Sequence, residues 1–288
     1  MPFATAPQFF KLAYFCLYQL FKKYHHLKLP LYQVDAFTDR LFGGNPACVV
    51  PLTDWLPDDL LLSIAKENAV AETAFFTGSG DTFHIRWFTP EFEMDLCGHA
   101  TLAAAHCLKT ILYVAGEKFV FKSASGNLVV TVNNELYTLD FPSRKPAAAV
   151  LPRIIQESLN IQPVSVLLSR DYVLVYEDEA AIRKIRINRP VFDQVNLDPG
   201  GVVVTARGDT VDFVSRFFTP QASILEDPVT GSAHCSLVPY WATQLQKDEL
   251  TALQISERVG KLYCVNKGDR VLISGHARTY SVGNIWLD

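Results

Sequence analysis

Several absences narrow this chain before any motif is read. It has no long basic run and a net charge of only −4, so nucleic acid is not an expected partner. Six cysteines are scattered through it: Cys16, Cys48, Cys97, Cys107, Cys235 and Cys264. They form no Cys-x-x-Cys pair and no His/Cys cluster with zinc spacing, so no metal is expected. They read as buried thiols in a reducing, cytoplasmic compartment. Only Cys97, beside a glycine at a helix start, has a setting that could lower a thiol pKa. Low-complexity segments are absent. So is Gly-x-Gly-x-x-Gly, and many neighbouring strands have hairpin spacing; both argue against a parallel dinucleotide-binding fold. No apolar run is long enough to cross a membrane: the apolar stretch at 9–18 is short, and Lys11 and Gln19 break it. Residues 1–27 also lack the basic start and Ala-x-Ala exit of a signal peptide. They read as an extension outside the fold, with a surface-lying amphipathic helix as the alternative. Membrane contact through them is not expected.

What is present fits a globular protein with a large core: 288 residues, 49% hydrophobic and 19% charged, enough for one large domain or two medium ones. Its most informative feature is a duplication. Arg86-Trp87-Phe88-Thr89-Pro90 recurs as Arg216-Phe217-Phe218-Thr219-Pro220. Each copy ends a β-like run. Each is followed, after an acidic loop, by a glycine that opens a helix: Gly98 in the first half, Gly231 in the second. Pattern and punctuation predict strands at 31–37, 47–51, 73–77, 83–88, 118–122, 128–132, 136–141, 164–168, 172–176, 201–206, 212–218, 262–265, 271–274 and 279–286. Helices are predicted at about 56–68, 98–113, 151–159, 179–184 and 231–245. The class is α+β, with two pseudo-symmetric lobes, each a β-barrel-like sheet wrapped around a central helix. Residues 28–124, completed by 279–288, form the first lobe and 125–278 the second, with the boundary near 123–126.

The two helix starts matter chemically. The N-terminus of a helix carries free N–H groups and partial positive charge, so two of them at one cleft would hold a carboxylate. Glycine lets a ligand approach the backbone. Ordinary capping by Thr230 and Ser232 is the competing explanation. Glu72, at the edge of an apolar strand, is placed to be partly desolvated and to transfer protons near neutrality. Taken alone it reads equally as a strand-end glutamate in water. His99 sits in the first helical turn, where the dipole favours a neutral imidazole. Asp227 precedes the second helix and could orient His99, accept a proton, or simply cap its loop. His106 and Cys107 read as core, His84 as a strand-face residue, and His234 and Cys235 remain ambiguous.

Together these segments resemble a known family. The motifs Asp35-Ala36-Phe37, Gly44-Asn45-Pro46-Ala47, Glu72-Thr73-Ala74-Phe75, the Arg86 pentapeptide, Cys97-Gly98-His99-Ala100 and Glu226-Asp227-Pro228-Val229-Thr230-Gly231-Ser232-Ala233 resemble the PhzF-like, phenazine-biosynthesis-like proteins. The resemblance runs from about residue 28 to the end. It implies the diaminopimelate-epimerase-like fold with a site between the lobes. It also implies a cofactor-free isomerase, commonly a homodimer, acting on a small carboxylate-bearing metabolite. By motif it places the proton-moving glutamate at Glu72 and its companions at His99, Asp227 and Ser232. Gly98, Gly231 and Asn45 join the substrate-binding set. Racemases of this fold use a thiol before each helix glycine; here the second position holds Thr230, which argues against two-thiol racemisation. An amino-acid racemase or epimerase and a non-catalytic binding protein remain the alternative readings.

Overall fold

The computed structural model describes residues 27–197 and 200–287. The extension was expected over 1–27, but Leu27 already belongs to the first strand; residues 1–26 lie outside the described residues. The first half runs β1 (Leu27–Ala36), β2 (Asn45–Pro51), α1 (Asp58–Asn68), β3 (Glu72–Ser79), β4 (Thr82–Phe88), β5 (Glu93–Met94), α2 (Gly98–His106), β6 (Lys118–Ser123), β7 (Gly126–Asn133) and β8 (Leu136–Pro142). A short β9 (Ala147–Ala148) and α3 (Arg153–Ser158) lead into the second half. There follow β10 (Ser165–Leu168), β11 (Tyr172–Val175), α4 (Glu179–Lys184), α5 (Arg189–Phe192), β12 (Val202–Arg207), β13 (Phe213–Phe218), β14 (Glu226–Asp227) and α6 (Gly231–Leu245). β15 (Glu249–Gln254), β16 (Gly260–Asn266), β17 (Arg270–Gly275) and β18 (Ala277–Leu287) close the chain.

Strand pairing repeats element by element. β1–β2 is antiparallel, β2–β3 parallel, β3–β4 and β4–β5 antiparallel, β4–β6 parallel, and β6–β7–β8 antiparallel. β10 through β17 repeat that order and those directions. Each parallel step needs a crossover, and helices supply it: α1 and α2 in the first half, α4 with α5 and then α6 in the second. β18 lies along β1, and β9 lies along β10 in the equivalent place. The sequence-based boundary near 123–126 falls at the β6–β7 turn. Pairing continues through that turn to β8, which then pairs with β17 and joins the two halves.

The two long helices are the hubs. Every residue of α2 is buried, and Ala100, Ala103, Ala104 and Ala105 let strands approach its backbone. One hydrophobic cluster takes in α2, α6 and strands of both halves. α2 is shorter than predicted. It passes at Cys107–Ile111 into a π-helical turn, and Leu112 N–H donates to the Cys107 carbonyl at 2.9 Å. α6 spans its predicted range despite Pro239. Proline has no N–H, so the Cys235 carbonyl lacks its helical donor. The Arg144 N–H fills that place at 2.9 Å.

Candidate active site

The repeated pentapeptides set the geometry. Arg86 grips Glu93 with two bonds, Nε to Oε1 at 2.7 Å and Nη2 to Oε2 at 2.6 Å. Arg216 grips Glu226 in the same manner, both at 2.7 Å. A bidentate pair of this kind fixes orientation as well as distance. Each clamp pins the short strand before a helix glycine, β5 before Gly98 and β14 before Gly231. The two helix starts then meet: a Cβ on Gly98 would lie 3.7 Å from the Gly231 Cα. No side chain caps either N-terminus; Thr230 turns its hydroxyl to Asp227 Oδ2 instead. The capping explanation for the two glycine-led starts is thereby removed.

A cleft of about 720 Å³ opens at this junction. Glu72, Gly98, His99, Asp227, Gly231 and Ser232 line it. Glu72 Oε2 stands 3.1 Å from His99 Nε2 at ion-pair distance. Neither atom has a hydrogen bond of good geometry. Both atoms are buried and face each other. Asn45 differs from expectation. It is fully buried and absent from the cleft wall. Its Nδ2 donates to Asp227 Oδ1 at 2.7 Å and to the Val229 carbonyl at 2.9 Å, and lies 3.2 Å from His99 Nδ1. The residue expected to touch substrate instead holds Asp227 from behind and packs beside His99.

The surroundings set the protonation. Burial alone would lower the His99 pKa; the Cys97 sulfur at 3.5 Å from Nδ1 and the Glu72 carboxylate outweigh it, and the pKa lies well above the imidazole range. The neutral imidazole expected from the helix dipole is therefore corrected: dipole reasoning omitted the carboxylate that folding brings beside the ring. Burial pushes Asp227 up to about 6, with His99 pulling it down and Glu72 pushing it up. Burial also raises the Cys97 pKa, and Glu72 adds to it, which corrects the expectation of an activated thiol. Glu72 Oε, Cys97 Sγ and a His99 nitrogen lie within 4.8 Å of one another, a donor set that sequence spacing does not reveal.

His106 is buried, with Nδ1 3.0 Å from the Tyr137 hydroxyl and Nε2 2.9 Å from Thr279 Oγ1, in agreement with a core role. His234 is buried too, and its Nδ1–H donates to the Thr230 carbonyl at 2.8 Å. Burial lowers both to about 4. Sequence reasoning missed Gln254. It is buried on β15, where Oε1 accepts from Thr230 N–H and Nε2 donates to the Asp227 carbonyl, both at 2.8 Å. Its strand carries the alternating Leu250, Ala252, Gln254 pattern that could have revealed it.

The repeat is asymmetric where chemistry would occur. Thr73 lies opposite Phe88 and Val202 opposite Phe218, so the counterpart of Glu72 is Gly201. A Cβ there would come within 2.5 Å of the Phe217 ring and 2.8 Å of the Phe218 carbonyl oxygen. Trp87 faces Met94 and Phe217 faces Asp227, so Met94 is the counterpart of Asp227. Cys97 and His99 answer to Thr230 and Ser232. One half thus holds the Glu72–His99 pair, and the other cannot.

Known proteins resemble this chain in sequence and fold. An uncharacterized isomerase of Pseudomonas aeruginosa is 49% identical over 263 residues, covering 91% of this chain and 100% of its own length. A crystal structure of a PhzF-family phenazine biosynthesis protein from Enterococcus faecalis superposes with a TM-score of 0.86 at 44% identity, over 91% of this chain and 100% of that one. A hydroxyproline epimerase from Agrobacterium vitis shares the fold alone, with a TM-score of 0.57 at 10% identity over 91% and 93% of the two chains. The model of the phenazine biosynthesis-like family matches residues 34–283, a span that contains every motif gathered around the cleft, and the chain belongs to that family.

Proposed function

We propose that the protein is a cofactor-free isomerase that moves a proton within a small carboxylate-bearing substrate. The carboxylate docks at the paired N-termini of α2 and α6. Glu72 takes a proton from an acidic carbon. The electron pair of that C–H bond passes into the conjugated system, and negative charge builds toward the carboxylate and the helix ends. A proton then returns at another carbon, so no net oxidation occurs. His99 holds Glu72 and shares the proton. Asp227, fixed by Asn45, assists the transfer or holds the substrate, and Ser232 donates to the substrate.

The observation that carries this reading is the Glu72–His99 pair, 3.1 Å apart, at the wall of the cleft where the two helix starts meet. Relatives named as isomerases support it. A two-thiol racemase is disfavoured, since Thr230 stands where the second thiol would be. The reading also takes the protein as a homodimer in a reducing compartment, where Cys48, Cys97, Cys107, Cys235 and Cys264 stay free and buried.

The test is deuterium uptake from heavy water into unsaturated carboxylic acids, followed by proton NMR. The parent protein should exchange one carbon-bound position, and Glu72→Gln should slow that exchange by about 10²–10⁴-fold. Equal exchange by parent and variant would remove Glu72 from the mechanism.

A further inference from the structure

Proton transfer leaves one group of the cleft unused. Among the described residues, Arg170 is the only arginine or lysine that lines it. It is half-buried, and among the described residues it makes no hydrogen bond or ion pair. Most acids around it are committed elsewhere. Glu72 faces His99, Glu93 is clamped by Arg86, and Asp227 accepts from Thr230 and Asn45. The neighbouring Asp171 is buried; its Oδ1 accepts from Gly201 N–H at 2.9 Å, and its charge attracts Arg170 without a hydrogen bond or ion pair at contact distance. Glu91 and Asp95 stand exposed at the rim, where solvent screens them.

The mount beneath Arg170 is fixed. It occupies the turn between β10 and β11, and Ser169 beside it shares a 2.7 Å hydroxyl bond with Ser236 of α6. A Cβ on Gly200 would come within 2.8 Å of the Arg170 carbonyl oxygen, so the adjoining loop is packed tightly against the turn. Ser236 lies five residues past Gly231, about 7.5 Å along the helix axis. An arginine side chain spans such a distance. The counterpart of Arg170 in the first half is Pro46, so this cation belongs to the half that lacks the glutamate.

We propose that Arg170 receives a second carboxylate of the substrate, so that the cleft takes a small dicarboxylic acid. One carboxylate lies at the Gly98–Gly231 helix ends and the other on the guanidinium fork, which matches carboxylate geometry. The inference rests on the proton-transfer reading only for the place of the first carboxylate.

Calorimetric titration with succinate, glutarate and adipate, each beside its monomethyl ester, tests it. At least one diacid should bind the parent protein about 10–100-fold tighter than its monoester. Arg170→Met should abolish that preference while its melting temperature stays at the parent value, and Arg170→Lys should restore part of it. Glu72→Gln should keep the preference while losing deuterium exchange. The absence of any diacid preference in the parent overturns the proposal. So does a preference that survives in Arg170→Met, including the case where diacid and monoester weaken equally. Exchange that persists in Glu72→Gln counts against the proton-transfer reading alone and leaves the diacid result standing.

Discussion

Asp227 is half-buried, with its carboxylate oxygens turned onto Thr230 and Asn45, and burial brings its pKa up to about 6 from 3.8. Between those values the folded protein holds a proton that the unfolded chain has lost. Stability therefore falls as pH rises through this window and stays reduced above it. Asp227→Asn removes the titration. Relative to the parent, this variant should be more stable at pH 8 by about 1–3 kcal/mol, with the gain fading below pH 4. Thermal melts across that range measure it, and an unchanged or lower melting temperature at pH 8 would contradict the argument. At this scale the residue types were legible: Glu72, His99 and Asp227 can be picked from their motifs. Their protonation was not, because it depends on neighbours as distant in sequence as 72 and 227.

At the level of elements, the short strand and helix start are held as one unit. Gln254 reaches from β15 to the Thr230 N–H and the Asp227 carbonyl, so a strand that crosses from α6 returns to fasten the front of that same helix. Gln254→Leu keeps the volume and removes both partners, leaving the buried Thr230 N–H unpaired. A loss of about 2–3 kcal/mol in denaturant unfolding is expected. A change below about 0.5 kcal/mol would show that the contact is dispensable. Legibility was uneven here. Strands with strong alternation and the glycine-started α6 were found at close to their true extents. β15 was overlooked, and the end of α2 was placed too late. Helix propensity does not signal the π-turn at Cys107–Ile111.

For the molecule as a whole, β8 and β17 form the seam between two halves built alike. Leu139 faces Ile273 across that seam and Val130 within its own half, and it is 1% exposed. Leu139→Ala should cost about 2–5 kcal/mol and shift a single unfolding transition, since one cluster runs through both halves. Two separate transitions would show instead that the halves unfold independently. The duplication was visible as a repeated pentapeptide. The seam, and the pairing of β18 with β1, join residues more than a hundred positions apart and leave no local signature.

By itself the sequence determined the class, the duplication, the glycine-led helix starts and the identity of the groups with chemistry to offer. Those properties are local: alternation, turn residues and motif spacing act within a few positions. Only the tertiary structure decided that the two helix ends touch, that Asn45 stands behind the site rather than in it, and that Gly201 bars a second glutamate. It also decided that His99 is pushed toward its charged form and that Arg170 faces the same cleft as Glu72. Each of these depends on a distance between segments remote in the chain, and burial and Coulomb interaction respond to such distances and not to order in sequence.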